Sequence, residues 1–196
     1  MKKIISSLSI LFLIISLCSG CREKANTEIT EQIKNGLKKD SQEFMESIKA
    51  VLIKEIQTNG IVSAVSVCSD TAQVLTNDYG IKKGIYIKRV SFKNRNPNNY
   101  PDEFETKGLK YFEELNSQNK LNQNSDYYEV IETDGVKNAR FMKPIIIQAP
   151  CLNCHGNTEN INEEVKTILH NKYPEDKATG YKVDNLRGAV SIQKTL

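Results

Sequence analysis

The chain has 196 residues, 39% of them apolar, which is enough for one domain with a real core. Its 27 basic and 24 acidic residues nearly cancel, so a nucleic-acid partner has no overall electrostatic support. The sequence holds no internal repeat and no low-complexity tract.

The first residues, MKKIISSLSILFLIISLCSGC, read as an export signal. Lys2 and Lys3 make a basic start, and residues 4–17 form an apolar core broken only by serines. That core is short for a membrane span and has no stop-transfer flank. Ser19 and Gly20 precede Cys21, and the ending CSGC resembles a bacterial lipoprotein signal, whose last cysteine is acylated and becomes the new N-terminus. Such signals usually carry Leu where this chain has Cys18, so simple cleavage and an uncleaved anchor stand as alternatives. Removal of residues 1–20 leaves 176 residues (196 − 20) and a formal charge of +1, from 25 basic and 24 acidic groups. The expected product is exported, lipid-anchored through Cys21 on the periplasmic side of a bacterial membrane. Residues 21–26 begin a polar tether.

From Thr27 to Gln57, Ile29, Ile33, Leu37, Phe44, Ile48, Val51, Leu52 and Ile56 recur at three- and four-residue steps. This predicts a long amphipathic helix stopped by Asn59-Gly60. A second helical stripe follows in Ile61, Ala64, Val65, Cys68, Ala72 and Leu75. Pro101 is expected to open a third helix with Phe104, Tyr111, Phe112 and Leu115 on one side. A fourth, in NINEEVKTILHNKYP, has Asn160 and Glu163 at capping-box spacing and ends before Pro174. Strands are expected at 84–92, at 127–133 and 136–147 as a hairpin about Asp134-Gly135, and at 187–193. NSQNKLNQNSD (116–126) is a loop. Helices first, an antiparallel sheet in the middle and one late helix define an α+β chain.

The chemistry centres on CLNCHG, Cys151 to Gly156. Two thiols at CxxC spacing can add to both vinyl groups of a haem, and a histidine straight after them can reach the iron. Chance would place CxxCH in only about one such chain in a thousand. A redox dithiol favours CxxC at a helix start within a βαβ unit, and here the motif follows the strand IIIQAP. A disulfide across two residues closes too small a loop to stabilise much. Zinc would have to draw four ligands from Cys68, Cys151, Cys154, His155 and His170, with no second CxxC. With Cys18 removed, Cys21 acylated and Cys151 and Cys154 as thioethers, Cys68 is left over. It either fills a core position as a small apolar residue or turns its sulfur to the iron opposite His155.

The segments RVSFKNRNPNNYPDEFE (89–105), CLNCHG and YPEDKATGYKVDNLRGAVSI (173–192) resemble the single-haem, PAS-like c-type cytochrome family over most of residues 60–196. The resemblance implies a PAS-like antiparallel sheet; with the long N-terminal helix and flanking helices read from periodicity, one domain is expected over residues 27–196. It implies one covalent haem c attached at Cys151 and Cys154, with His155 as proximal ligand and Cys68 as the second. Phe104 stands where the family more often has Trp. Asp184-Asn185 stands where it has Gly-Asp before LRG, a position at which Gly can serve a positive φ.

His170, near the end of the fourth helix, is the alternative to Cys68, followed by Met142 or an open site. Two propionates would need cations. Arg89 and Arg95, inside the basic run from Lys82 to Arg95, are the first candidates, and Arg140 and Arg187 follow. Asn96-Pro97 and Asn99 read as turn formers. Beyond the haem ligands no convergent acid, base or nucleophile set is visible, so no enzymatic turnover is expected. The functional expectation is electron transfer or redox sensing with an unidentified redox or signalling partner. A haem-based small-gas sensor acting through a partner, and a haem-free binding module with a CxxC disulfide, are the rivals.

Overall fold

The computed structural model describes the backbone from Ile5 to Leu196 and the side chains from Thr30 onward, except Val67. The expected signal peptide and Cys21 lie outside the described side chains. Two compact units divide at Gly36/Leu37, and the sheet and Cys68, Cys151, Cys154 and His155 all belong to the second.

Helix α1 spans Ile5–Asp70 and is interrupted at Gly60, whose φ of 84° and ψ of 174° are not helical. It is therefore helical over residues 21–26, where the sequence suggests a polar tether; no Gly or Pro stands between Cys21 and Asn35 to end it. The expected stop at Asn59-Gly60 is a break rather than an end. Glu55 bridges it, accepting from Asn59 Nδ2 at 2.9 Å and from Ser63 Oγ at 2.6 Å. Helix α2 (Ala72–Lys83) follows after Thr71, so the second predicted stripe is shared between two helices. Lys83 pairs with Asp40 (2.8 Å) and Glu43 (2.7 Å), and Tyr79 stacks at 5.4 Å on the buried Phe44, fastening α2 to α1.

Strand β1 (Tyr86–Val90) leads through a turn to α3 (Glu103–Ser117). Strands β2 (Tyr127–Thr133) and β3 (Val136–Ile146) form the predicted hairpin, with Asp134 and Gly135 both at positive φ (52° and 77°) as its two-residue turn requires. Strand β4 (Leu186–Thr195) inserts between β1 and β3, giving an antiparallel sheet of order β1-β4-β3-β2.

Alternation along the strands assigns the two faces. Val90, Met142 and Ala189 pack under Phe104, Leu109 and Phe112 of α3. On this face the fully buried Glu105 meets Lys88 at 2.8 Å and Arg140 at 3.5 Å. Glu105 also completes a capping box with Asp102, which places the N-cap one residue past Pro101 and the first helical residue at Glu103. Tyr111 is 40% exposed, so only part of the predicted α3 stripe is core. The other face carries the buried row Ile87, Ile192 and Phe141. Arg89, two residues beyond Ile87, points to that same side.

After β3 come the short helix α4 (Leu152–His155) and α5 (Glu163–Lys172). The cap of α5 is Asn162, whose Oδ1 accepts from the backbone of Glu164 and Val165, not the expected Asn160. Asn160 lies in a preceding 3-10 turn.

The break at Gly60 requires glycine, because its backbone angles fall in a region nearly closed to other residues. Gly60→Ala should lower the unfolding free energy by about 1–3 kcal/mol in urea titrations. Gly36→Ala, inside the helix with open space around its Cα, should be neutral or stabilising by up to about 1 kcal/mol.

Candidate functional site

The ladder between β3 and β4 is bulged at Ile145/Ile146 and resumes beyond it. Ile147 donates to the Asn185 carbonyl at 2.9 Å, and Asp184 N donates back to Ile147 at 3.0 Å. Asp184 holds φ at 68°, so the position where the sequence departs from its expected Gly does have a left-handed backbone. This pair fixes the entry to the motif. Ala149–Cys151 then forms a 3-10 turn that runs directly into α4, so the CxxC does stand at a helix start, though beside an antiparallel sheet and not in a βαβ unit. One helical turn places Cys151 and Cys154 on the same side, three residues apart. Gly156 ends the turn; a Cβ there would lie 2.6 Å from the Leu152 carbonyl.

His155 is held from its backbone and its ring. Its carbonyl accepts from Tyr181 N at 3.0 Å, and the next carbonyl, of Gly156, accepts from Gly180 N at 2.8 Å. Its Nδ1 lies 2.7 Å from the Ala178 carbonyl. A carbonyl can only accept, so Nδ1 carries the proton and Nε2 presents its lone pair. The Tyr181 ring stands edge-to-face with the imidazole at 6.4 Å. Burial, and then the charges of Arg187 and Arg95, hold the His155 pKa well below its usual 6.5, so the ring is neutral.

Arg95 ties the motif to the segment that grips it. Its Nη2 donates to the Cys154 carbonyl at 2.5 Å and, at 3.5 Å, to that of Ala178; its Nε donates to Asp176 at 2.9 Å. Asp176 in turn accepts from Ala178 N at 2.8 Å.

Cys68, Cys151 and Cys154 are all free thiols and half-buried. Cys154 packs against the cluster of Val65, Ile161, Val165 and Leu169, which joins α1 to α5. Lys172 reinforces that junction, reaching Asp70 at 2.5 Å and Ser69 at 2.8 Å. Burial pushes the Cys154 thiol up to about 11, with Cys68 among the groups that act on it. Burial also raises the Cys68 thiol, against the lowering charges of Arg89 and Arg95. Cys68, Cys154 and His155 thus share one neighbourhood.

The four arginines divide. Arg95 is engaged by Asp176 and two carbonyls. Arg140 lies on the α3 face, bonded to Asp102 at 2.7 Å and stacked 4.5 Å over Phe104, away from the motif. Arg187 donates through Nη1 to the Lys93 carbonyl at 3.0 Å and lies 5.5 Å over the Tyr181 ring, while its buried Nε makes no hydrogen bond to the described residues. Arg89 has Cys68 and Tyr173 as its electrostatic neighbours. Of the other expected ligands, His170 is exposed on α5, and Met142 is fully buried under α3 on the opposite face from Arg89. Among the described residues no three or more His, Cys, Asp or Glu side chains gather as an ion-binding group. Sequence reasoning missed Asp176, Ala178 and Tyr181; the only signal was that they fall in the segment 173–192.

The profile of a family described as Tll0287-like matches residues 23–194. No curated protein matches the chain. Among solved structures, the crystal structure of the cyanobacterial heme-protein Tll0287 matches with a TM-score of 0.55 at 21% identity, over 76% of this chain and 88% of that one. At that identity the likeness concerns the fold, and it agrees with the α+β arrangement described above. With its family match running over most of its length, the chain belongs to the Tll0287-like family.

Proposed function

We propose that the chain holds one haem, attached covalently through Cys151 and Cys154, with His155 and Cys68 on the two sides of the iron. The observation that carries this reading is the hydrogen bond from His155 Nδ1 to the Ala178 carbonyl, one residue after two thiols on a single helical turn. That bond leaves Nε2 as a neutral, oriented donor, which is what an iron ligand needs. Cys68 is the remaining thiol of the neighbourhood, and as a thiolate it would favour ferric iron and lower the potential. Arg89 and Arg187 suit the propionates, since the guanidinium of Arg95 is engaged elsewhere and Arg140 lies on the other face.

When bound, a haem supplies one-electron chemistry, and two protein ligands on the iron favour electron transfer or redox sensing over capture of a gas. The proposal includes no enzymatic turnover. The described side chains around His155 include thiols, arginines and a tyrosine, and the carboxylate of Asp176 is bound to Arg95 and the backbone of Ala178. From the signal and Cys21, the protein is proposed to work outside the cytoplasm, held to a membrane by lipid and exchanging electrons or signals with a protein partner. Among the described residues no helix is long and apolar enough to cross a membrane.

Attachment is tested by exporting the chain with a cytochrome-maturation system. Denaturing electrophoresis should show haem on the wild-type chain by peroxidase staining, and none on a Cys151→Ser, Cys154→Ser double variant. Retention of stoichiometric zinc instead would refute the proposal.

Ligation is tested separately. Cys68→Ala should keep the covalent haem but change the ferric spectrum, raise the potential and admit carbon monoxide, whereas His170→Ala should change none of these. The reverse pattern would assign the ligand to His170.

The third test is pH. Unfolded, the His155 imidazole titrates near 6.5, whereas in the fold it resists protonation to much lower pH. Below about pH 6.5 the unfolded chain therefore takes up a proton that the folded chain refuses. For the chain made without haem, stability should fall with decreasing pH by up to about 1.4 kcal/mol per unit from this residue. His155→Gln should remove that share of the slope in urea titrations between pH 7 and 5.

A further inference from the structure

The inward face of α1 is covered unevenly. Leu37, Ser41 and Phe44 are at most 1% exposed, and beyond the break Ala64 and Val65 are at most 3% exposed. Between them the same face continues apolar in Ile48, Val51 and Leu52, yet no residue from 45 to 63 is buried, and Val51 is 39% exposed. An amphipathic helix whose apolar stripe is tightly packed at both ends and half-open in the middle calls for a partner over the middle.

Two contacts say what lies opposite that middle. Lys49 Nζ donates to Gln148 Oε1 at 2.6 Å, and the backbone N of Gln148 donates to Cys151 Sγ at 3.4 Å. Past the break, Val65 belongs to the apolar cluster against which Cys154 packs. The half-open stretch is thus moored to the motif near both of its ends, at Cys151 through Gln148 and at Cys154 through Val65. A porphyrin bonded to those two sulfurs has large apolar faces that must leave water. We infer that Ile48, Val51 and Leu52 of α1 form an apolar wall of the haem site. This rests on the proposed haem attachment, and it adds binding residues that neither the motif nor the axial ligands identify. The wall sets how much water reaches the ring, and solvent access is one of the terms that fixes a haem potential.

The experiment uses the haem-loaded full-length protein. Leu52→Glu places a carboxylate at the wall, and Leu52→Ala with Ile48→Ala opens it to water without adding charge. Both should shift the oxidised-to-reduced ratio several-fold toward oxidised at a fixed ambient potential, and both should lower the thermal midpoint. Val74→Glu, at a position 55% exposed on α2, should change neither. If Leu52→Glu fails to load haem, the double alanine variant still decides. Wild-type potential and spectrum in the loaded wall variants would overturn the inference. So would a wild-type dimer, detected by light scattering, that dissociates in Leu52→Glu with the potential unmoved, because the stripe would then serve a second copy of the chain. A wild-type chain that never loads haem would instead refute the attachment on which the wall depends.

Discussion

The arrangement depends on one bond, from His155 Nδ1 to the carbonyl of Ala178. It selects the imidazole tautomer, fixes the ring, and leaves Nε2 with the free lone pair. That carbonyl would be poorly placed on a free loop. Two backbone hydrogen bonds zip residues 180–181 onto residues 155–156, and Asp176 caps the backbone of Ala178. Arg95 then ties Asp176 to the carbonyl of Cys154. The late loop and the motif are 23 residues apart between Ala178 and His155, yet hydrogen bonds join them into one body.

Charge around that body is one-sided. Arg89, Arg95 and Arg187 all act on His155 and lower its proton affinity, while Asp176 binds Arg95 and also acts on Arg187. A neutral imidazole beside three guanidinium groups is a poor proton site and a good place for anions. The proposed propionates, and a thiolate at Cys68, would supply the missing negative charge with charge-assisted hydrogen bonds or direct pairing. Glu105 shows the opposite solution on the far face of the sheet, where a buried carboxylate has Lys88 and Arg140 as partners within the chain.

Much of the fold was legible because local rules suffice for it. Period-two alternation and Asp134-Gly135 identify the hairpin, and Asn59-Gly60 marks the discontinuity in the long helix. The motif CLNCHG announced itself by spacing. What escaped the sequence was set by tertiary contacts. The cap of α5 moved from Asn160 to Asn162 because a separate 3-10 turn takes up residues 158–160. Arg95 and Arg187 look alike in one dimension, and only the fold shows that Asp176 and two carbonyls hold the first while the buried Nε of the second has no hydrogen-bond partner among the described residues. Ala178 was invisible because its part is played by a backbone carbonyl, which every residue possesses. The half-open stripe at Ile48 and Leu52 was hidden for a related reason: periodicity marks an apolar face without saying what covers it.

The central claim is that the fold sets His155 and Cys68 to face one iron. X-ray absorption at the iron edge of the purified, haem-loaded protein tests it most directly. A ferric centre with five nitrogen neighbours and one sulfur is expected. Six nitrogen neighbours, or five with no sixth ligand, would contradict it.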